Sequence, residues 1–472
     1  MSDAPRVRGL SDDDQGALNG LWKQLKACEV RNLLRQIFYE RKRFPRPKSP
    51  VIPATYYRLG LTLGWAAKSC DLVDNRTRLL DFTWSAGDLA SLGSDDLFID
   101  NVMTQTFGLA SNASLVHGPA FSIVTKGGAG EPDAILSVKD AIDCTGTWNA
   151  RTRGLDDALS ITKRDGDGKP TAFVLYFHNR TVTCSKGGAG WKVDDESSHY
   201  LGVPVDLLPL HPLLNAPFGF SRITRAVMGH QDAAVRSLIR LEGNSDAYAL
   251  PQLWLFGPNE DDITDADGTA EAMRNMIGRL RAVPDDIEMA DDGNALARAA
   301  IEQISASSPQ PHIDALKVHA QGISGETSIP QIYFGIDDKA NPTSSDALFI
   351  QDIPLIGVAE SATDGWSPGL SRSWRKLLQC ANGLTSQPAE WRSIRPKFQN
   401  PAYTSRAAAA DAGTKIAAAI PGFADTEVGL EMMGLTQDQI DRFKAEQRRG
   451  RGVSVLRSLT EQVPPANGEL GG

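Results

Sequence analysis

The sequence predicts an α+β protein, and three observations carry that expectation. Apolar residues recur at helical spacing over 14–43, 221–249 and 311–328. From His117 to Val193 the period changes to short β-branched and aromatic runs separated by turn clusters. The last 70 residues return to an Ala-rich, helical composition. With 472 residues, 41% hydrophobic and 23% charged, usage is that of an ordinary globular chain able to bury a sizeable core. At roughly 150 residues per domain, about three structural units are expected.

The first helix is expected over 14–43, with Leu18, Leu21, Trp22, Leu25, Leu33, Leu34, Ile37 and Phe38 on its apolar side. Arg41, Lys42 and Arg43 close it, as cations suit a helix C-terminus. Four prolines between 45 and 53 forbid regular structure. Leu63 to Val73 reads as a short helix. Residues 94–111 read as another, on Leu97, Val102, Met103 and Phe107. PAFSIVTK, DAILSV, TAFVLYFH, RTVTC and WKV then read as strands. KGGAG at 126–130, DGDGKP at 165–170 and KGGAG at 186–190 are their turns. The two KGGAG copies read as similar hairpin loops rather than an internal repeat.

Residues 221–249 form the next helix, with Ser221 as N-cap and a length of roughly 43 Å. Pro251 ends it, and LWLF reads as a strand. Helices are expected at 269–281 and at 311–328, the latter stopping at Pro330. Asn341 followed by Pro342 marks a further helix start. That helix runs toward Cys380, kinked at Pro354 and broken near GWSPG (365–369). WRSIRPKF (391–398) reads as a returning strand. LTQDQI (435–440) is a capping box on Thr436 and Gln439, and the tail after Val463 is expected to be disordered.

Composition excludes several classes. The net charge of -9 argues against a generally cationic nucleic-acid binder. Pro258 to Asp292 holds 11 acids and 3 bases, a net of -8, so the rest of the chain carries only -1. Cys28, Cys70, Cys144, Cys184 and Cys380 are odd in number and widely spaced, which predicts reduced thiols rather than a disulfide framework. The chain opens MSDAPRVRGLSDDD, without the pattern of a secretory signal. No run of 18 apolar residues predicts a membrane span.

The search for chemistry is largely negative. No phosphate-cradling GxxxxGK[ST], HExxH, GxSxG or kinase signature occurs. His312 and His319 lie two turns apart on one predicted helix, too few ligands for a metal site. No catalytic residue, metal or cofactor is therefore expected. Asp261–Asp262, Asp285–Asp286 and Asp291–Asp292 are possible general acid/base pairs, but adjacent loop carboxylates read first as solvated surface. Arg448, Arg449 and Arg451 form a small basic cluster, which reads as a contact to nucleic acid or partner acids, or at least as well as a plain solvated helix end.

Five stretches, in order, carry a resemblance. They are GWAAKSCDLVDNRTRLL (64–80), VHGPAFSIV (116–124), the long stretch from Asn215 to Gly257, SIPQIYFGIDDKANPTSSDAL (328–348) and LTQDQIDRFKAEQRR (435–449). Together they resemble the portal proteins of tailed double-stranded-DNA bacteriophages, in the branch common among siphophages of Gram-positive hosts. The fourth, similar to the family's I-P-x-x-x-L-G followed by N-P-S-S-A-E-A, is the most specific. Phe220, where the family often has Arg, and Thr343 and Asp346 are departures.

The resemblance implies an α/β wing over 1–220, a two-helix stem at 221–250 and 306–330, and a small α/β clip at 251–305. It implies a tunnel loop at 331–343, a long kinked helix returning to the wing over 344–405, a helical crown at 406–460 and a disordered tail at 461–472. It further implies a ring of about twelve copies around a channel for DNA packaging and ejection, a heterologous interface that closes. Implied partners are the major capsid protein, the terminase large subunit transiently, a head-completion or adaptor protein, and non-specifically bound double-stranded DNA. The implied location is the virion vertex, after assembly in the host cytoplasm. Asp337, Asp338, Lys339 and Asn341 would face DNA in the tunnel loop. Asp261, Asp262, Asp285, Asp286 and Glu288 would belong to the clip, either docking partners or repelling the DNA backbone. Another minor capsid protein, or a soluble α+β hydrolase using Asp pairs, are the alternatives.

Overall fold

Helix α1 spans Asp12–Tyr39, and its start is dictated locally. The Ser11 hydroxyl accepts from the Asp14 amide at 3.2 Å, and Asp12, Asp13 and Asp14 face the positive end of the helix dipole. Leu18, Leu21, Trp22, Leu25 and Phe38 are buried as expected, but Leu33, Leu34 and Ile37 point to solvent. The three basic residues do not close the helix. It ends at Tyr39, and Arg41 already has a positive φ of 60°. The computed structural model describes residues 3–44, 55–248, 252–257, 280–284, 300–304, 307–336, 345–402, 406–435, 439–440 and 442–449. The proline-rich 45–54, Thr436 and Arg451 lie outside these. The chain divides into two units, 1–398 and 399–472.

In the first unit, α1 packs on a six-stranded sheet. Its strands are β1 (Val7–Arg8), β5 (Cys144–Asn149), β6 (Gly154–Arg164), β7 (Pro170–Phe177), β8 (Arg180–Gly187) and β9 (Gly190–Ser198), in the order β1-β9-β8-β7-β6-β5. The run TAFVLYF explains why β7 is central. Phe173 and Leu175 join the core under α1, with Trp22 against Phe173 at 6.0 Å. Val174 and Tyr176 join a second core on the other face, so a near-continuous apolar strand is buried on both sides. Sequence periodicity missed β5 and β6, whose polar threonines and aspartates dilute the apolar signal.

The second core is shared with a three-stranded sheet of β3 (Pro119–Lys126), β4 (Ala134–Asp140) and β10 (Val205–Pro209), in the order β10-β3-β4. Both KGGAG stretches lie at antiparallel hairpin connections, β3 to β4 and β8 to β9. The far side of this sheet carries the largest core. It is built with α2 (Trp65–Asp74), the ribbon of β2 (Leu79–Trp84) and β14 (Ile394–Phe398), α4 (Met103–His117) and the long helix α7 (Ser345–Ala381). The single helix expected over 94–111 is two, α3 (Ser94–Asp100) and α4. Val102 between them sits at φ 45° and is exposed, because the chain turns there.

Helix α7 is not broken at GWSPG. It runs through Pro354 and Pro368 for 37 residues, about 55 Å. The glycines serve contact rather than termination. A Cβ on Gly369 would lie 2.2 Å from the Leu207 carbonyl oxygen, and one on Gly365 would lie 2.8 Å from that of Pro209. Trp366 between them is fully buried, and its indole N–H donates to Ser114 Oγ at 2.9 Å. Pro368 itself is on the exposed side of the helix.

All five cysteines are free thiols. Among the described residues no helix is long and apolar enough to cross a membrane. The second unit is helical, with α8 (Arg406–Ala419), α9 (Glu427–Met432) and helical residues 442–449. The Thr426 hydroxyl caps α9 by accepting from the Gly429 amide at 3.1 Å, and Lys444 reaches Glu427 at 2.7 Å.

Candidate functional site: a helix pair joined through a small sheet

Helices α5 (Arg225–Tyr248) and α6 (Gln310–Thr327) form an antiparallel pair. The register follows from two contacts. Thr224 Oγ1 donates to Glu326 Oε1 at 2.9 Å, and six residues on, the His230 ring meets His319, with Nδ1 atoms 3.4 Å apart. The helices are close here because α6 presents Gly322, where a Cβ would lie 2.4 Å from His230 Cε1. His319 thus faces His230 across the pair, rather than sharing a ligand set with His312. Among the described residues no group of three metal-ligating side chains exists.

The N-cap of α5 is Thr224, whose Oγ1 accepts from the Val227 amide at 3.2 Å. Ser221 was expected there. Instead its hydroxyl donates to the Val116 carbonyl and accepts from the Ile223 amide, fixing the approach to the helix. The first half of α5 is tied to the body. Gln231 accepts from the Ala66 amide at 2.7 Å, and Arg43 pairs with Asp232 at 3.3 Å. Arg222 bridges the carbonyls of Ser69 and Thr327 at 3.1 and 2.6 Å, joining α2 to the end of α6. Burial lowers its pKa from the usual arginine value.

In chain order, between the paired helices, comes a second small sheet of β11 (Gln252–Gly257), β12 (Leu280–Pro284) and β13 (Ala300–Ile304), in the order β12-β11-β13. β11 pairs parallel with β12 and antiparallel with β13. LWLF is a strand, as expected. The helix expected over 269–281 is corrected at its end, since Leu280 and Arg281 are in β12, and 269–279 lie outside the described residues.

After α6, Ser328 turns the chain at φ 56° and a short helical turn spans Gln331–Phe334. Phe334 is buried edge-on against Trp65 at 6.0 Å. Tyr333 donates to Asp352 of α7 at 3.2 Å, and the buried Arg76 pairs with Asp352 at 2.7 Å. Burial first, and the Asp352 charge second, raise the Tyr333 pKa above its ordinary value. Tyr333 before residues 337–344 and Asp352 after them thereby meet at Arg76.

None of the site residues expected from sequence can be placed. Asp337, Asp338, Lys339 and Asn341 lie outside the described residues, as do Asp261, Asp262, Asp285, Asp286 and Glu288. What sequence reasoning missed is the anchoring set of Arg76, Arg222, Gln231, Tyr333 and Asp352. Nothing in their sequence neighbours signals this role, because their partners lie 105 to 276 positions away in most cases.

The His230–His319 contact yields a prediction. Burial, then the neighbouring His230 and Arg236, lower the His319 pKa. A histidine whose folded pKa is lowered loses stability as pH falls from its unfolded value, near ~6.5, toward the folded one. The fall in melting temperature between pH 7.5 and 5.5 is expected to be larger in the natural chain than in His319→Gln. Identical pH profiles would remove the role of this contact.

The family model "Phage portal protein, SPP1 Gp6-like" matches residues 74–452. The chain is 21% identical over 441 residues to the portal protein of Mycobacterium phage L5, covering 91% of this chain and 88% of that one. It is 24% identical over 304 residues to the portal protein of Mycobacterium phage D29, covering 63% and 59%. Two solved structures are also similar. One is of the virion of a native gene transfer agent particle, at TM-score 0.43 and 14% identity, covering 85% of this chain and 99% of that one. The other is of the neck of the native particle computed with C12 symmetry, at TM-score 0.42 and 13% identity, covering 79% and 90%. With the family model spanning most of the α+β chain, helix pair and small sheet included, this protein belongs to the SPP1 Gp6-like phage portal protein family.

Proposed function

We propose that this portal protein acts as a ring of about twelve copies around a channel for double-stranded DNA. The observation that carries the reading is the antiparallel pair α5–α6, tied at its base to an α/β body and joined through the sheet β11–β13. In this reading 1–220 and 344–405 form the wing, 221–250 and 306–330 the stem, 251–305 the clip, 331–343 the tunnel loop and 406–460 the crown. The role is structural, without catalysis by the chain itself. The ring sits at one capsid vertex of the virion, after assembly in the host cytoplasm. It contacts the major capsid protein, docks the terminase large subunit transiently, and then docks a head-completion protein.

Charge supports this reading. DNA must slide through the channel, and each Lys or Arg on a phosphate adds salt-sensitive affinity. The clip segment 258–292 instead carries a net of -8, suited to repelling the backbone or to docking basic partner surfaces. Asp261, Asp262, Asp285, Asp286 and Glu288 are the clip acids concerned. Asp337, Asp338, Lys339 and Asn341 form the loop facing DNA.

The test is particle mass with negative-stain microscopy of the purified full chain. Rings with a central hole and a mass near twelve subunits are expected. A uniform monomer at micromolar concentration would count against the reading. Asp261→Asn with Asp262→Asn should leave rings intact, which separates this role from an Asp-pair hydrolase.

A further inference from the structure

Among the apolar faces of the first unit that lack a partner within the described residues, two differ in shape. The first is the outer side of α1. Val30, Leu33, Leu34 and Ile37 follow the i, i+3, i+4, i+7 spacing of a helical face and are 78, 44, 38 and 39% exposed. The opposite side of the same stretch is held to the body, with Asn32 donating to the Ala141 carbonyl and Arg35 to that of His117. The outer stripe therefore cannot turn inward without breaking those bonds.

The second face is a knob. Between β10 and α5 the chain makes a tight turn, with Leu213 and Ala216 exchanging backbone hydrogen bonds at 3.0 and 3.1 Å. Leu214 at its tip is 108% exposed and Leu213 is 46% exposed. The loop is rigid at its base. Leu210 bonds to Gly118, Phe220 bonds back to Leu210, and Phe218 packs on Phe121. Gly219, at φ 72°, lies so close to the Leu210 carbonyl that no side chain fits there. A fixed turn that holds two leucines in water is a surface built for contact.

A closed ring needs a head-to-tail interface, in which two different patches of one subunit meet. A convex leucine tip and a linear helical stripe form such a pair. With Phe220 at its base, 46% exposed, the knob exposes the equivalent of about two large apolar side chains, as does the stripe. That is on the order of 300 Å² each, against roughly 450 Å² of apolar area on one side of a standard interface.

We propose that Leu213 and Leu214 of one copy seat on the Val30–Leu33–Leu34–Ile37 stripe of α1 in the next copy. This rests on the ring reading above and names the surfaces that close it. The knob variant is Leu213→Ser with Leu214→Asp, and the stripe variant is Val30→Lys with Leu33→Lys. All four positions are exposed, so folding should stay near that of the natural chain, as circular dichroism and melting would show.

Each variant alone is expected to lose the ring and run as a subunit. Their equimolar mixture is expected to give a heterodimer and nothing larger. The intact knob of one finds the intact stripe of the other, and the remaining two faces are both spoiled. Rings formed by either variant alone would overturn the proposal. So would a mixture that stays monomeric, because knob and stripe would then have other occupants, such as residues of the same chain or a capsid protein. The natural chain, run alongside, tests the ring reading by itself. If it gives no rings, that reading fails first and this proposal with it.

Discussion

Asp206→Ala is expected to destabilise the protein by about 3–5 kcal/mol, measured by urea unfolding at pH 7. Asp206 lies on β10 with 3% of its side chain exposed. Its carboxylate accepts from Arg372 at 2.9 Å, Lys376 at 2.7 Å and Ser373 at 3.1 Å, all on α7. Removing it leaves the nearly buried Lys376 ammonium with the Val203 carbonyl, at 2.6 Å, as its one remaining hydrogen-bond partner among the described residues. An uncompensated buried charge costs far more than the net worth of the pair. Burial alone would raise the Asp206 pKa, but Lys376 and Arg372 outweigh it and hold the carboxyl below its ordinary range. Its contribution is therefore complete above the unfolded-state pKa near ~3.9 and is lost as pH falls through the lower folded value. The gap between natural and variant chains should be constant from pH 7 to about pH 5 and close in stronger acid. A gap under ~1 kcal/mol at pH 7 would show that α7 is not held to the sheet through this cluster.

Trp374→Ala is expected to cost about 3–5 kcal/mol, and Trp374→Phe to recover at least half of that loss. Trp374 is fully buried on α7. It stacks on Phe82 of β2 with centroids 4.1 Å apart and planes at 4°, and meets Phe98 edge-on at 6.2 Å. Phenylalanine keeps a ring on Phe82, an arrangement worth about 0.5–1.5 kcal/mol beyond area burial. It also surrenders no hydrogen bond, since the Trp374 indole N–H has no partner among the described residues. A double-mutant cycle with Phe82→Ala isolates the pair. Equal losses from the Ala and Phe variants would assign the effect to the indole itself.

These two contacts matter because α7 links the paired helices to the body. Its N-terminal part meets Tyr333 and Arg76 through Asp352. Its middle lies on β10 through Gly365 and Gly369. Its end is fixed by Asp206 and Trp374. Along its length α7 is thus fastened to the body at three places, beside one continuous core that holds Leu355, Trp366 and Trp374 together.

Much of the fold was legible locally. The TAFVLYF strand, both KGGAG hairpins and the returning strand at 394–398 each follow from a few neighbouring residues. The errors share one cause. GWSPG carries two glycines and a proline, which signals a break, yet Gly365 and Gly369 meet the β10 backbone at Pro209 and Leu207, far away in the chain. Leu33, Leu34 and Ile37 look like core because helical spacing shows that a face is apolar, not what covers it. Ser221 is a good cap by type, but its hydroxyl is taken by Val116, and Thr224 caps instead.

What the sequence determined by itself was the class of each segment, the placing of nearly all excess charge between 258 and 292, and the family through five ordered stretches. Those properties depend on residue type and near-neighbour spacing. The register of α5 against α6, the meeting of His230 with His319, the burial of Asp206 between two cations and the exposure of Leu214 were decided only in the tertiary structure. Each is a contact, or the lack of one, between residues far apart in the chain. Backbone propensity carries no information about such partners, because close packing and the pairing of buried charge set them only once the elements are in place.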